Sequence, residues 1–298
     1  MKKLILISYL LLAAITVYAQ QSNFPKLSGP YLGQKPPGMT PVIFAMNIIP
    51  ATKYHTSPSF SPDGMEAFWK MQGTILISMM KVVNGCWTRP EMISLSSELD
   101  DFRDPSLSPD GKKLYFLSKG KLPYQEEATE NIWAVDRMEN AWSKPYPLEK
   151  CINSHEIHWQ VSVAANGNLY FTSRNSGVED IYFSEYRNGT YHSPKSLGKG
   201  INTQDMCETT PFIAPDESYI IFSRWSLKDE TGFSQAYISF RSKSGRWEPA
   251  RKIEGIGYCL CPRITPDGKY FFFMGNENGE NVIKWVSAKI IDELRPKV

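Results

Sequence analysis

The chain has 298 residues, 42% hydrophobic, 13% aromatic and only 21% charged, a balance that suits an aromatic-rich β protein and excludes disorder. Setting aside Lys2 and Lys3 lowers the 33 Lys and Arg to 31, equal to the 31 Asp and Glu. There is no basic excess to follow a phosphate backbone, so nucleic acid is not an expected partner.

The first residues read as an export signal. Lys2 and Lys3 supply a positive start, 4–16 an apolar run, and Val17, Tyr18 and Ala19 a small-residue cleavage site before Gln20. The run is too short to span a bilayer comfortably and no second one follows. The expectation is a signal peptide over 1–19, a lead segment over 20–40 and one domain over 41–298. The product would be periplasmic or secreted, monomeric, and not inserted in the membrane. Cys86, Cys151, Cys207, Cys259 and Cys261 are odd in number and irregularly spaced, which is no disulfide framework. They read as semi-buried thiols, with one bridge near Cys207 as the alternative.

From residue 55 onward the chain repeats. Asp63, Asp110, Asn166, Asp216 and Asp267 each follow a short apolar stretch, at spacings of 47, 56, 50 and 51 residues. Four of the five copies carry Pro-Asp, and a period in this range marks a propeller, solenoid or array. Proline presets φ, aspartate bonds the backbone ahead of it, and the glycine that usually follows accepts positive φ. Units begin near 55, 102, 158, 208 and 259.

Within each unit the first strand falls over 57–61, 104–108, 160–164, 210–214 or 261–265. The second is aromatic (Phe68, Tyr115, Tyr170, Phe222 and Phe272 among its members). The third alternates, over 74–78, 131–135, 180–183, 236–239 and 282–285. Polar hairpin turns follow at 84–85, 139–140, 188–189 and 244–245. After each comes an aromatic and then a proline, from Trp87 and Pro90 to Trp247 and Pro249, which suits an outer edge strand. The fifth unit lacks that strand. Residues 38–44 resemble 87–93 of the first unit, and residues near 41–49 are expected to complete the last blade and close the ring. The expected fold is all-β: a five-bladed β-propeller of four-stranded antiparallel blades, closed by an N-terminal strand.

The run 108–116, Ser-Pro-Asp-Gly-Lys-Lys-Leu-Tyr-Phe, and its relatives resemble the WD40-like, TolB-type β-propeller repeat. Residues 31–38 resemble the N-terminal lead of exported members of that group. The resemblance covers nearly all of the chain after the signal. It implies a propeller and, in characterised members, a periplasmic platform for protein interaction, but no particular chemistry.

Aligned on the turn position, the first strands bring three largely polar positions together. Eight residues upstream stand His55, Phe102, His158, Glu208 and Cys259, and six upstream Ser57, Asp104, Gln160, Thr210 and Cys261. Four upstream stand Ser59, Ser106, Ser162, Phe212 and Arg263, and the alternate positions are mostly apolar. Strand alternation assigns the polar set to the axial channel. Ligand contacts are therefore expected from His55, Asp104, His158, Trp159, Gln160, Glu208 and Arg263. The mouth would be the end carrying the long 119–130 and 225–234 connections, away from the tight turns.

A protein, peptide or glycan bound there without catalysis is the leading reading, and no cofactor is expected. A carbohydrate hydrolase or lyase is the alternative, with Asp104, His158, Glu208 and Arg263 as its candidates. A metal on His55, His158 and Glu208 is chemically reasonable, but hydrogen-bonded channel lining explains the same residues. The turn aspartates read as turn formers.

Overall fold

A computed structural model describes residues 24–51, 56–71, 73–139 and 141–296. The expected export signal, His55 and the turn residue Asn140 lie outside the described residues. Five small antiparallel sheets form a five-bladed β-propeller. Taken from the axis outward, blade 1 is Ser59–Phe60, Glu66–Trp69, Ile77–Val83 and Glu91–Ile93, with Cys86–Trp87 also paired to its third strand. Blade 2 is Asp100–Leu107, Lys113–Gly120, Thr129–Asp136 and Tyr146–Pro147. Blade 3 is Ile157–Val163, Leu169–Ser173, Asp180–Ser184 and Lys195–Ser196. Blade 4 is Met206–Ile213, Tyr219–Ser226, Gln235–Phe240 and Arg251–Lys252.

Blade 5 has Leu260–Ile264, Tyr270–Glu277 and Glu280–Ser287, and its fourth strand is Val42–Ile43 from the other end of the chain. Val42 stands opposite Trp285, and Ile43 opposite Lys284. The third strand of blade 5 is therefore covered at Lys284 and Trp285, and the edge left outside is a strand of two residues.

The core is not one mass but five clusters, one between each pair of blades. Period-two alternation in the second strands divides side chains between neighbours. Phe271 and Phe273 pack toward blade 4, whereas Phe272 packs toward blade 1. Tyr115 and Leu117 face blade 3, whereas Leu114 and Phe116 face blade 1. Each fully buried aromatic is worth about 1.5–3 kcal/mol by area removed from water, so sequence alternation decides which neighbouring blade each one packs against.

The Pro-Asp turns behave as their chemistry requires. The Ser61 hydroxyl donates to Asp63 at 2.6 Å, and Asp63 accepts the Met65 N–H at 3.0 Å. Ser108 with Asp110 and Thr265 with Asp267 repeat the pattern. Two details differ from the sequence reading. The third strand of blade 1 is Ile77–Val83, shifted onto the run Met79 to Val83 that leads into the turn at Asn84. The prolines also break the outer strands: in blades 2 and 4 the aromatic is held by an isolated bridge (Arg137 with Trp142, Arg241 with Trp247) before a two-residue strand.

Candidate functional site

The inner strands depart from simple alternation at one recurrent place. Ladder register slips between Arg103 and Ser106, His158 and Ser162, Thr209 and Phe212, and Leu260 and Arg263. At these bulges Asp104, Trp159, Thr210 and Cys261 have left-handed backbone, with φ of 47°, 67°, 48° and 51°. An extra residue in a strand kinks it and re-aims side chains, and bulges concentrate beside functional sites.

The polar residues do meet at the axis, but they fill it. Gln160 is fully buried, and its Nε2 donates to the carbonyls of Pro211 at 3.0 Å and Pro262 at 3.1 Å. Arg263 donates from Nη1 to Ser106 Oγ at 3.1 Å and from Nη2 to the Pro105 carbonyl at 3.0 Å. In a ring of five, bonds from blade 5 to blade 2 and from blade 3 to blade 5 must cross the centre. Here the expected lining is a hydrogen-bonded plug.

Glu208 is committed as well. It is fully buried, ion-paired to Arg224 Nε at 2.8 Å, and accepts the N–H and hydroxyl of Thr203 at 3.1 and 2.9 Å. Burial raises its pKa, and the Thr203 bonds and Arg224 oppose that rise. This carboxylate clamps the blade 3–4 connection to its strand. Asp104 is buried in its bulge. The His158 backbone pairs with Thr172, but its side chain, like all of His55, lies outside the described residues. Among the described residues, no three His, Cys, Asp or Glu stand together in a way that could hold a metal. His155 packs edge-on against Phe171 and Tyr182 at 5.8 and 5.1 Å, and burial lowers its pKa, so it stays neutral as part of a wall.

Trp159 is different. It is 37% exposed with φ of 67° at the start of an inner strand. A bulky residue in left-handed backbone is a genuine outlier, and such strain gathers at ligand clamps and active sites.

Beside blade 2, on the long-loop end, a groove of about 840 Å³ is lined by Arg103, Lys119, Glu126, Glu130, Lys150 and Glu156, among others. Its wall is rigidly held. Gln125 donates to Asn131 Oδ1 at 2.8 Å and to the Asn153 carbonyl at 3.1 Å, and the buried Asn153 side chain is tied to Ile132 and Leu148. Glu130 was not singled out by the repeat alignment, because it opens a third strand rather than a first. Burial raises its pKa to about 8, with Asp104 adding to the rise and Arg103, 3.6 Å away, opposing it. A smaller funnel of about 300 Å³ opens at the other end, among the Pro-Asp turns, where the sequence reading placed no site.

No protein-family model matches the chain, and no curated protein matches it. Solved structures do. TolB from Acinetobacter baumannii is 16% identical with a TM-score of 0.53, covering 79% of this chain and 52% of that one. The chain therefore spans about half the length of that TolB structure. An arabinanase from Bacillus subtilis is 10% identical with a TM-score of 0.50, covering 79% of this chain and 94% of the other. At such identities the likeness defines the class by fold alone: a β-propeller.

Proposed function

We propose that this chain is an exported, noncatalytic propeller of the WD40-like, TolB-type repeat class. It docks a protein, peptide or glycan on the long-loop end of the ring and works as a monomer. The observation that carries this reading is Trp159, an exposed aromatic at that end, whose counterparts in the other bulges, Asp104, Thr210 and Cys261, are buried. Ile75, Tyr124, Leu227 and Phe233, all in connections between second and third strands, add exposed apolar surface on the same side. Aromatics held on a rigid frame supply large contact area at low entropic cost, and mixed charge in the adjoining groove supplies orientation. Two residues that a catalytic reading would use, Glu208 and Arg263, already have structural partners. Export rests on the signal-like start, and no described helix is long and apolar enough to cross a membrane.

The test is capture from envelope extract together with a glycan panel, using intact protein and the W159A and Y124A variants. Ligand retained by wild type and lost by W159A, with unchanged thermal unfolding, supports the proposal. Equal retention by both variants overturns it. Carbohydrate cleavage is the second reading, favoured by Glu130, a largely buried carboxyl whose pKa is raised to about 8 by burial and by the charge of Asp104. Turnover of any polysaccharide by wild type and its loss in E130Q would establish that reading instead.

A further inference from the structure

The funnel at the Pro-Asp end is built by all five blades. Ser59, Ser106, Ser162, Phe212 and Arg263, the residues four before each turn position, ring its floor. Three of them are hydroxyls whose bonding is one-sided. Ser59 Oγ accepts the Leu107 N–H at 2.9 Å, Ser162 Oγ accepts the Ile213 N–H at 3.0 Å, and Ser106 Oγ accepts Arg263 Nη1 at 3.1 Å. A hydroxyl offers one donor proton besides its acceptor lone pairs. Each of the three serines uses one lone pair in these bonds and keeps its O–H proton to give. Arg263, 6% exposed, adds a guanidinium whose Nε has no hydrogen-bond partner. The floor thus presents three hydroxyl donors beside a buried cation, with Phe212 as its one apolar member. Above it the wall is apolar, with Phe60, Leu107, Val163, Ile264 and Phe272 among the lining and the turn residues Pro109, Pro215 and Pro266 at the rim.

We propose that this funnel is a binding site for a carboxylate carried on a small apolar body, seated with its oxygens on the Ser59, Ser106 and Ser162 hydroxyls and the Arg263 guanidinium. A carboxylate is acceptor-only and can take several donors at once, which matches a floor that offers donors and one positive charge. An ammonium would set its charge against Arg263, and a neutral amide would accept fewer bonds and forgo the pairing of charges. The space of about 300 Å³ is at the lower limit of ligand pockets, so it takes one compact group rather than an extended chain. Two sources share this chemistry: a free organic acid, and the C-terminal residue of a peptide or protein. Burial lowers the Arg263 pKa to about 10, still charged at neutral pH, and an incoming anion relieves that cost. The site stands apart from the long-loop end, so it survives or fails independently of the function proposed above.

Calorimetric titration of the full chain tests it, with phenylacetate and hexanoate as free acids, a tripeptide ending in phenylalanine, and the C-terminal amides of the same compounds. Binding of the free acids points to a small metabolite, and binding of the tripeptide acid alone to a chain terminus. Both outcomes support the site. Ser162→Ala should weaken the bound acid at least about tenfold, the loss of one charge-assisted hydrogen bond of about 1.4 kcal/mol or more. Arg263→Met should abolish binding. Because that variant removes two cross-axis bonds and can fail to fold, Ser162→Ala and Ser59→Ala are measured beside it, each with its unfolding curve. The proposal is overturned if no acid binds more tightly than about 1 mM, if the amides bind as well as the acids, or if the folded serine variants bind unchanged.

Discussion

The Tyr170 hydroxyl donates to Glu217 Oε1 at 2.7 Å, joining blade 3 to blade 4 through a residue that stands where the other repeats carry glycine. Glu217 holds φ of 57° there. It also accepts from Asn168 at 2.8 Å, Asn166 at 3.0 Å and Arg241 at 2.9 Å. The fourth turn thus gives up the conformational ease of glycine and gains an inter-blade clamp. Glu217→Ala should destabilise the protein by about 2–4 kcal/mol in urea unfolding, because it leaves the Tyr170 and Asn168 donors without their acceptor. Glu217→Gly loses the same bonds but sheds the left-handed strain, so it should be the milder of the two by about 1 kcal/mol. The opposite order would show that turn strain contributes nothing.

The same carboxyl gives a pH signature. Burial would raise its pKa, but the bonds from Asn168 and Tyr170 and the charge of Arg241 outweigh that and hold it below the ordinary carboxylate value. A depressed carboxyl contributes stability that is present above the unfolded pKa of about 4.3 and is lost as pH falls through the folded value. Wild type should therefore lose stability on acidification below about pH 4.3 more steeply than Glu217→Gln. Parallel melting-temperature curves for the two proteins would contradict this.

Glu130 has the reverse sign. Its folded pKa of about 8 lies above the unfolded value, with burial first and Asp104 second as causes. Its contribution is complete below about pH 4.3 and fades as pH rises toward the folded pKa. Glu130→Gln should melt higher than wild type at pH 9, and the gap should close at pH 5. A gap that is constant with pH would mean that Arg103 keeps Glu130 ionised throughout.

The division between what was legible and what was not follows from locality. Turn chemistry at Asp63 or Asp267 is written within four residues, and strand alternation such as Phe271, Phe272 and Phe273 within three, so blade count, strand order within a blade and the closing strand at Val42–Ile43 could be read from the order of the repeats. The bulges could not. Asp104, Thr210 and Cys261 each precede a proline, which ordinarily holds the preceding residue in extended backbone, yet all three are left-handed. Crowding at the axis is not a local signal. The partners of Gln160 and Arg263 are likewise 51 to 158 residues away. Spacing brought these residues to one place but could not say that they would consume each other's bonding capacity.

The thiols provide a direct check on packing. All five cysteines are free, with Cys86 and Cys151 partly exposed and Cys207, Cys259 and Cys261 buried. Burial also raises the pKa of Cys151, Cys207, Cys259 and Cys261. A thiol reagent on native protein at pH 8 should therefore label Cys86 first and Cys151 more slowly, because the thiolate is the reactive form. The other three should react only on unfolding. A reductant should leave the melting temperature unchanged, and a drop on reduction would reveal a disulfide.

Ring closure is the point at which this fold is most exposed to a single substitution. Phe44 follows the closing strand and is 1% exposed, with its ring 4.8 Å from Phe272, 5.1 Å from Trp285 and 6.3 Å from Phe60. It therefore touches the last blade and the first at once. The lead segment reinforces the seam: Tyr31 lies edge-on between Phe60 and Tyr270, and Trp87 donates to the Gly29 carbonyl at 2.7 Å. Phe44→Ala removes a buried aromatic from a cluster with little freedom to collapse, which costs about 3–5 kcal/mol. Opening the seam also frees the Glu280–Ser287 edge, and an unpaired strand edge templates association between chains. The variant should unfold at lower denaturant concentration and form oligomers on mild heating, as followed by light scattering. Phe212→Ala, a partly exposed residue at the axis, should weaken the fold less and leave the protein monomeric. Equal aggregation of both variants would mean that general destabilisation, not the opened seam, drives association.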